Sequence, residues 1–230
     1  MNIIWLGHGS FRIETGGEVL LIDPWLSGNP MLDEDQHAEA IAGASQILVT
    51  HGHFDHTADI VRISQETDAP VSGMYELVAA LTAQGAKEGV GFNKGGTISL
   101  GSVSASMVPA SHSSSMMVGD AARYMGAEVG YILKDAAHTL YFSGDTAIMA
   151  DMEWIGDLYK PDIGILSAGG LFTMDMTGAA YAARRYFEFK TVIPCHYRTF
   201  PPLEQDAEAL KAGLPGVHVV EPEILKPILL

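Results

Sequence analysis

Within six consecutive residues, His51-Gly52-His53-Phe54-Asp55-His56, stand three imidazoles and a carboxylate. These are the nitrogen and oxygen donors that divalent metal ions, zinc above all, take from proteins. A histidine-rich surface loop that gathers metal adventitiously would have the same composition. The flanking sequence argues against that reading. The apolar, β-branched run QILVT at 46–50 reads as a buried strand that stops at His51, and Ile60, Val61 and Ser64 then follow at helical spacing. Donors at the carboxyl end of a strand are held by a rigid sheet and open into a crevice, where α/β proteins commonly bind their ligands. Three further donors stand beyond apolar runs: His112 after VSASMVPA, Asp145 after HTLYFSG and His196 after TVIPC. Taken singly, each reads as readily as a cap or a satisfied polar group.

Strands must therefore carry these residues, and the chain supplies them. IIWL at 3–6, SFRIE at 10–14 and VLLID at 19–23 form a meander with Gly16-Gly17 as a hairpin turn, followed by a polar loop from Asp23-Pro24 to Gln36. MYELVAALTAQG at 74–85 reads as a helix closed by Gly85. The second half repeats the alternation. TISL and VSASMV are strands, 110–127 is a long Ser/Met/Gly loop, and EVGYILK and HTLYFSGD pair. Helical patterns at 149–160 and 178–187 precede the strands DIGILSA and TVIPC. With no fixed-period repeat and no linker, residues 1–230 read as a single domain. Two β-rich halves with helices outside them imply an α/β fold, an αββα four-layer sandwich.

Composition narrows the function classes. Hydrophobic residues at 47% and charged residues at 18% suit a large buried core. The lone Cys195 excludes an intramolecular disulfide and reads as a buried apolar position. The start, MNIIWLGHGSF, lacks the pattern of a signal peptide, so a cytoplasmic location is expected. No apolar run reaches the ~20 residues of a spanning helix, and EILKPILL is interrupted by Lys226 and Pro227, so no membrane partner is expected. A net charge of −15 repels polyanions and makes nucleic acid a poor partner. A small-molecule substrate remains, and a homo-oligomer is compatible.

The pattern H-x-H-x-D-H after an apolar strand resembles the signature of the metallo-β-lactamase superfamily. The resemblance extends over essentially the whole chain to a group of metal-dependent hydrolases related to the ascorbate-phosphate lactonases, through GHGSFRI, LIDPWLSGNP, the 51–56 motif, FSGDT, GGLFTM and PCHYRTFP. It implies that His51, His53 and His112 bind one metal ion, that Asp55, His56 and His196 bind a second, and that Asp145 bridges them. In that order His112, Asp145 and His196 become ligands rather than caps. The implied cofactors are two divalent ions, zinc foremost, with manganese, iron and nickel also suited to such donors. The implied reaction is attack by a metal-bridging hydroxide on a small anionic ester or lactone, with Asp145 and Asp55 as catalytic carboxylates. Two ions, offset by Asp55, Asp145 and one hydroxide, leave a charge of about +1 to hold an oxyanion.

Competing readings are a mononuclear iron, sulfur dioxygenase-like enzyme, a phosphodiesterase of the same fold, and a metal-bound sensor without turnover. Position 53 is His where the oxygen-reducing di-iron branch of the superfamily carries an acid, which argues against that redox chemistry.

Several residues are secondary candidates. His8, in a Gly-His-Gly-Ser turn, is placed to support a ligand or bind substrate, and Asp23 to orient a ligating imidazole. Tyr197 and Thr199 are candidate oxyanion donors, and Arg198 is favoured over Arg123, Arg184 and Arg185 as a phosphate contact because it follows His196 closely. Asp175 either orients a ligand or caps the helix that follows it. Met116-Met117 is a candidate apolar wall. His37, His138 and His218 read as surface or structural residues.

Overall fold

The computed structural model describes every residue except Leu229. The first half contains strands β1 (Asn2–Gly7), β2 (Ser10–Thr15), β3 (Glu18–Ile22), β4 (Gln46–Val49), β5 (Val71–Met74) and β6 (Glu88–Phe92). The second contains β7 (Thr97–Leu100), β8 (Val103–Pro109), β9 (Ser115–Val118), β10 (Ala121–Tyr124), β11 (Val129–Lys134), β12 (Thr139–Phe142), β13 (Ile163–Ser167), β14 (Thr191–Cys195), β15 (His218–Val219) and β16 (Pro227–Ile228). Helices α1 (His37–Ile41), α2 (Phe54–Thr57), α3 (Ile60–Thr67) and α4 (Tyr75–Ala83) belong to the first half, and α5 (Met152–Tyr159), α6 (Met176–Tyr186) and α7 (Glu208–Gly213) to the second.

Two seven-stranded sheets share one plan, the first built from β1 to β6 with the C-terminal β16 added at its edge. The first has the order β16-β1-β2-β3-β4-β5-β6, antiparallel through β3 and parallel beyond it. The second has the order β15-β14-β13-β12-β11-β8-β7, antiparallel from β7 to β12 and parallel from β12 to β15. The sheets meet face to face. Phe11 of β2 packs edge-on against Phe142 of β12 at 5.7 Å, and the Tyr131 hydroxyl of β11 donates to the Val49 carbonyl of β4 at 2.6 Å. Helix α4 covers β5 and β6, and α6 packs on β13, giving the αββα layers. Central strands are thus buried on both faces, which is why β4, β13 and β14 read as continuous apolar runs rather than alternating ones. One apolar cluster spans both halves. Among the described residues no helix is long and apolar enough to cross a membrane.

The structure departs from the sequence expectations in three places. The 110–127 segment is not a plain loop: β9 and β10 form a hairpin about Gly119-Asp120, with Val118 paired to Ala121. Its side chains show no alternation of buried and exposed positions, because the pair lies on neither main sheet. The expected helix at 74–85 begins one residue later, after Met74 has closed β5. Both β5 and the neighbouring β6 escape the pattern because they are short and carry Gly73, Gly89 and Gly91 where β-formers are expected.

Candidate metal centre

Loops at the carboxyl ends of strands from both sheets converge on one point. His8 follows β1, Asp23 follows β3, His51 follows β4 by one residue, and His53 to His56 form the entry of α2. From the other sheet come His112 after β8, Asp145 after β12 and His196 after β14. The backbone there is strained. His8, Asp23 and His196 are non-glycine residues in the left-handed region, with φ of 52°, 47° and 59°. Such conformations cost free energy and persist where the surroundings over-determine them, as at sites. Gly9 is required by close approach, since a Cβ there would lie 2.8 Å from His56 Cε1.

The donor atoms form two sets. In one, His51 Nε2 and His53 Nδ1 face each other at 3.0 Å, and His112 completes a triple whose ligand atoms all lie within 4.8 Å of one another. In the other, Asp55, His56, His196 and His8 meet the same limit. Asp145 belongs to both. Its Oδ2 stands 3.0 Å from His196 Nε2, 3.4 Å from His56 Nε2, 3.8 Å from His112 Nε2 and 3.9 Å from His51 Nε2.

Surrounding hydrogen bonds set the tautomers. Asp23 accepts the Thr50 N–H at 2.7 Å and the Thr50 hydroxyl at 2.5 Å, so that hydroxyl has no proton left and must accept from His51 Nδ1–H at 2.9 Å. His51 Nε2 therefore presents its lone pair to the cluster. Asp23 also accepts His56 Nδ1–H at 2.8 Å, which turns the His56 Nε2 lone pair inward, and that buried nitrogen has no hydrogen-bond partner. An imidazole that donates one N–H to a carboxylate and aims its other nitrogen at the site is the usual arrangement of a metal-ligating histidine. His8 donates from Nε2 to Asp55 Oδ2 at 2.9 Å while its Nδ1 meets Thr199 Oγ1 at 2.8 Å. It thus positions Asp55.

Electrostatics divide these residues into two kinds. Burial pushes His51, His53 and His112 below the ordinary imidazole range, which keeps them neutral as ligands must be. Burial also brings His8 down to about 4, against the pull of its bond to Asp55. Burial would raise Asp145, but His196 and His56 outweigh it and hold the carboxylate well below its usual range. Conversely, burial would lower His56 and His196, yet the facing carboxylates, Asp145 foremost, push them up, His196 to about 9. Converging carboxylates thus draw positive charge into a buried place. The unpartnered His56 nitrogen, the paired lone-pair donors and the shared Asp145 oxygen suit divalent metal. Two nitrogens on one zinc ion at 2.0–2.1 Å lie about 3.3 Å apart at the tetrahedral angle, close to the His51–His53 separation.

Other candidates fall elsewhere. Tyr197 is buried, stacks on Trp5 at 5.6 Å, and its hydroxyl has no partner. Arg198 is exposed and lies over the rings of Trp5 and Tyr197 at 6.0 Å and 5.7 Å. Neither lines the cavity above the cluster. The left-handed turns at His196 and Arg198 reverse the chain after β14, so residues adjacent in sequence to a donor diverge from it. Arg123, Arg184 and Arg185 are exposed and also lie outside the cavity. Asp175 caps α6, accepting from Gly178 N at 2.6 Å. His138 pairs with Asp162. Cys195 is buried.

Sequence reading passed over Thr50, which links His51 to Asp23, and the cavity residues Phe54, Val61 and Phe172. The legible signal for two of these was the i, i+4, i+7 spacing of Phe54, Ala58 and Val61, which runs from α2 into α3. The cavity has a volume of about 680 Å³ and opens directly above His53, Asp55, His112, Asp145 and His196.

Comparison with known proteins places this geometry. Residues 19–197 match the model of a beta-lactamase superfamily domain. The chain is 61% identical over 228 residues, 99% of each protein, to a UPF0173 metal-dependent hydrolase of Ruegeria pomeroyi, and 62% identical over 228 residues to its counterpart in Roseobacter denitrificans. Igni18, a metallo hydrolase of the hyperthermophilic archaeon Ignicoccus hospitalis, superposes with a TM-score of 0.84 at 30% identity, covering 99% of this chain and 97% of that one. The chain therefore belongs to the metallo-β-lactamase superfamily and, within it, to the UPF0173 metal-dependent hydrolases.

Proposed function

We propose that the protein hydrolyses an ester or lactone of a small molecule with the aid of two divalent ions, zinc being the best match to the donors. The observation that carries this reading is the single Asp145 oxygen lying within 4 Å of nitrogens from both donor sets, at the floor of an open cavity. Bound there, such ions would lower the pKa of water toward ~7 and polarise the carbonyl oxygen under attack. The chain's own residues do the rest. His51, His53 and His112 would hold one ion and Asp55, His56 and His196 the other, with Asp145 available to both. Asp145 also stands where it can take the proton released by the attacking water and pass it to the leaving oxygen. Asp23 and His8 hold His56 and Asp55 in orientation.

The anionic character expected from the sequence drew on the family resemblance and on a charge of about +1 at the ion-loaded site, with Arg198 as an added phosphate contact. Arg198 lies over Trp5 instead, and among the described residues no Lys or Arg lines the cavity, so attraction for an anion would rest on the ions. A mononuclear oxygenase uses one donor set; the second, with its shared carboxylate, favours the dinuclear hydrolytic reading. The test is to measure kcat/KM for carboxylic esters, lactones, aryl phosphodiesters and a β-lactam, with metal content and oxygen uptake determined in parallel. Esters or lactones should be preferred by more than about tenfold, ~1.4 kcal/mol of transition-state stabilisation. Preference for a phosphodiester, or oxygen consumption, overturns the proposal.

A further inference from the structure

Helix α2, which carries Asp55 and His56, and the α3 that follows it together present two faces. Ile60 and Ile63 are fully buried in the core. Phe54, Ala58 and Val61, at i, i+4 and i+7, instead line the cavity, and Phe54 is 66% exposed. Met116 and Met117 of β9 line the same cavity, as does Phe172, with Met117 66% and Phe172 58% exposed. Large apolar side chains gathered and uncovered in this way mark a surface that binds something. Here they wall the space directly above the metal donors. Methionines suit such a wall because an unbranched, polarisable side chain adapts to the shape of what it meets.

Charge and size narrow the occupant. Among the described residues the carboxylates lining the cavity are Asp55 and Asp145 and no Lys or Arg lines it, so an anionic substituent away from the donor cluster would meet no lysine or arginine. The volume of about 680 Å³ lies within the range of small-molecule sites and far exceeds what an ester group alone would fill.

We infer that this wall binds a hydrocarbon chain on the acyl side of the substrate, with Phe54, Val61, Met116, Met117 and Phe172 selecting for it. The inference rests on the proposed ester or lactone hydrolysis, and two independent measurements separate the two. On metal-replete protein, kcat/KM for p-nitrophenyl acetate, butanoate, hexanoate and octanoate should rise roughly threefold per added methylene up to hexanoate, as burial of each CH₂ predicts. Calorimetric affinity for butanoate, hexanoate and octanoate should rise in parallel. Met117→Ser, Val61→Ser and the exposed Phe54→Ser should each flatten both slopes, with folding checked by circular dichroism. If affinity climbs with chain length but no ester is turned over, the wall assignment stands and the hydrolytic reading fails. If esters are hydrolysed while both slopes are flat, or a charged acyl group is preferred, the wall assignment is overturned and hydrolysis stands. Slopes that persist unchanged in all three variants also overturn it.

Discussion

The floor of the cavity and its outer wall are built on opposite principles. The floor is buried and fixed by the ends of strands from both sheets. Asp23, entirely buried, serves two histidines through Thr50 and a direct bond, and three residues there bear left-handed backbone. The wall is exposed. Its hairpin pairs only with itself, and Phe54, Met117 and Phe172 present more than half their surface to solvent. Chemistry that depends on donor positions to within tenths of an ångström needs the first kind of support. Selection among hydrocarbon substituents needs only apolar area of about the right shape, which a hairpin supplies and substitution can readily change.

The largest expected effect is at the shared oxygen. Asp145→Ala should lower kcat/KM by three orders of magnitude or more, ~4 kcal/mol, and reduce bound metal by about one equivalent in elemental analysis. The thermal transition should remain cooperative. Full turnover at normal metal content would remove Asp145 from the mechanism and with it the distinction drawn for the floor.

One step outward, Asp23→Ala leaves every proposed ligand in place but releases His56 and, through Thr50, His51. Metal affinity measured by chelator competition should fall about 10–100-fold. Unchanged affinity would mean that the strand ends alone orient these imidazoles.

The smallest effects are expected where floor and wall join. Asp59, at the start of α3, accepts from Leu26 N, Ser27 N and Ser27 Oγ, each at 2.7 Å, and pairs with Arg62, so it ties the loop after β3 to the helix beneath the wall. Asp59→Asn should cost about 1–3 kcal/mol in urea unfolding. Met117→Ala, in the wall itself, should change stability by less than ~0.5 kcal/mol. Burial would raise the Asp59 carboxyl, but its bonds from Ser27, Arg62 and the backbone hold it below its usual range. A carboxyl lowered on folding contributes stability that is present above its unfolded value, near ~3.9, and lost as pH falls through the folded one. The parent protein should therefore lose stability more steeply below pH ~4 than the Asp59→Asn variant. Parallel acid profiles would contradict this account.

That these imidazoles and carboxylates would gather was readable because residue type and local spacing are constrained together. His51 to His56 occupy one strand end, and His112, Asp145 and His196 each follow an apolar run that β-propensity alone marks as a strand. The two-half plan was visible for the same reason, since strands buried on both faces are written as continuous apolar segments. Side-chain direction was not. Tyr197 and Arg198 follow a donor immediately, yet one stacks on Trp5 and the other lies across both rings, because the backbone reverses at His196 and Arg198. Nor was the wall: β9 and β10 lack alternation, having no sheet beneath them, and Phe54 looks like a spacer until the cavity shows what it faces. Donor identity is a property of short segments and is therefore carried by sequence. Which of those segments share a cavity, and which of their neighbours line it, depends on how the two sheets pack face to face and bring together residues more than 100 positions apart, as the contact of Phe11 with Phe142 shows.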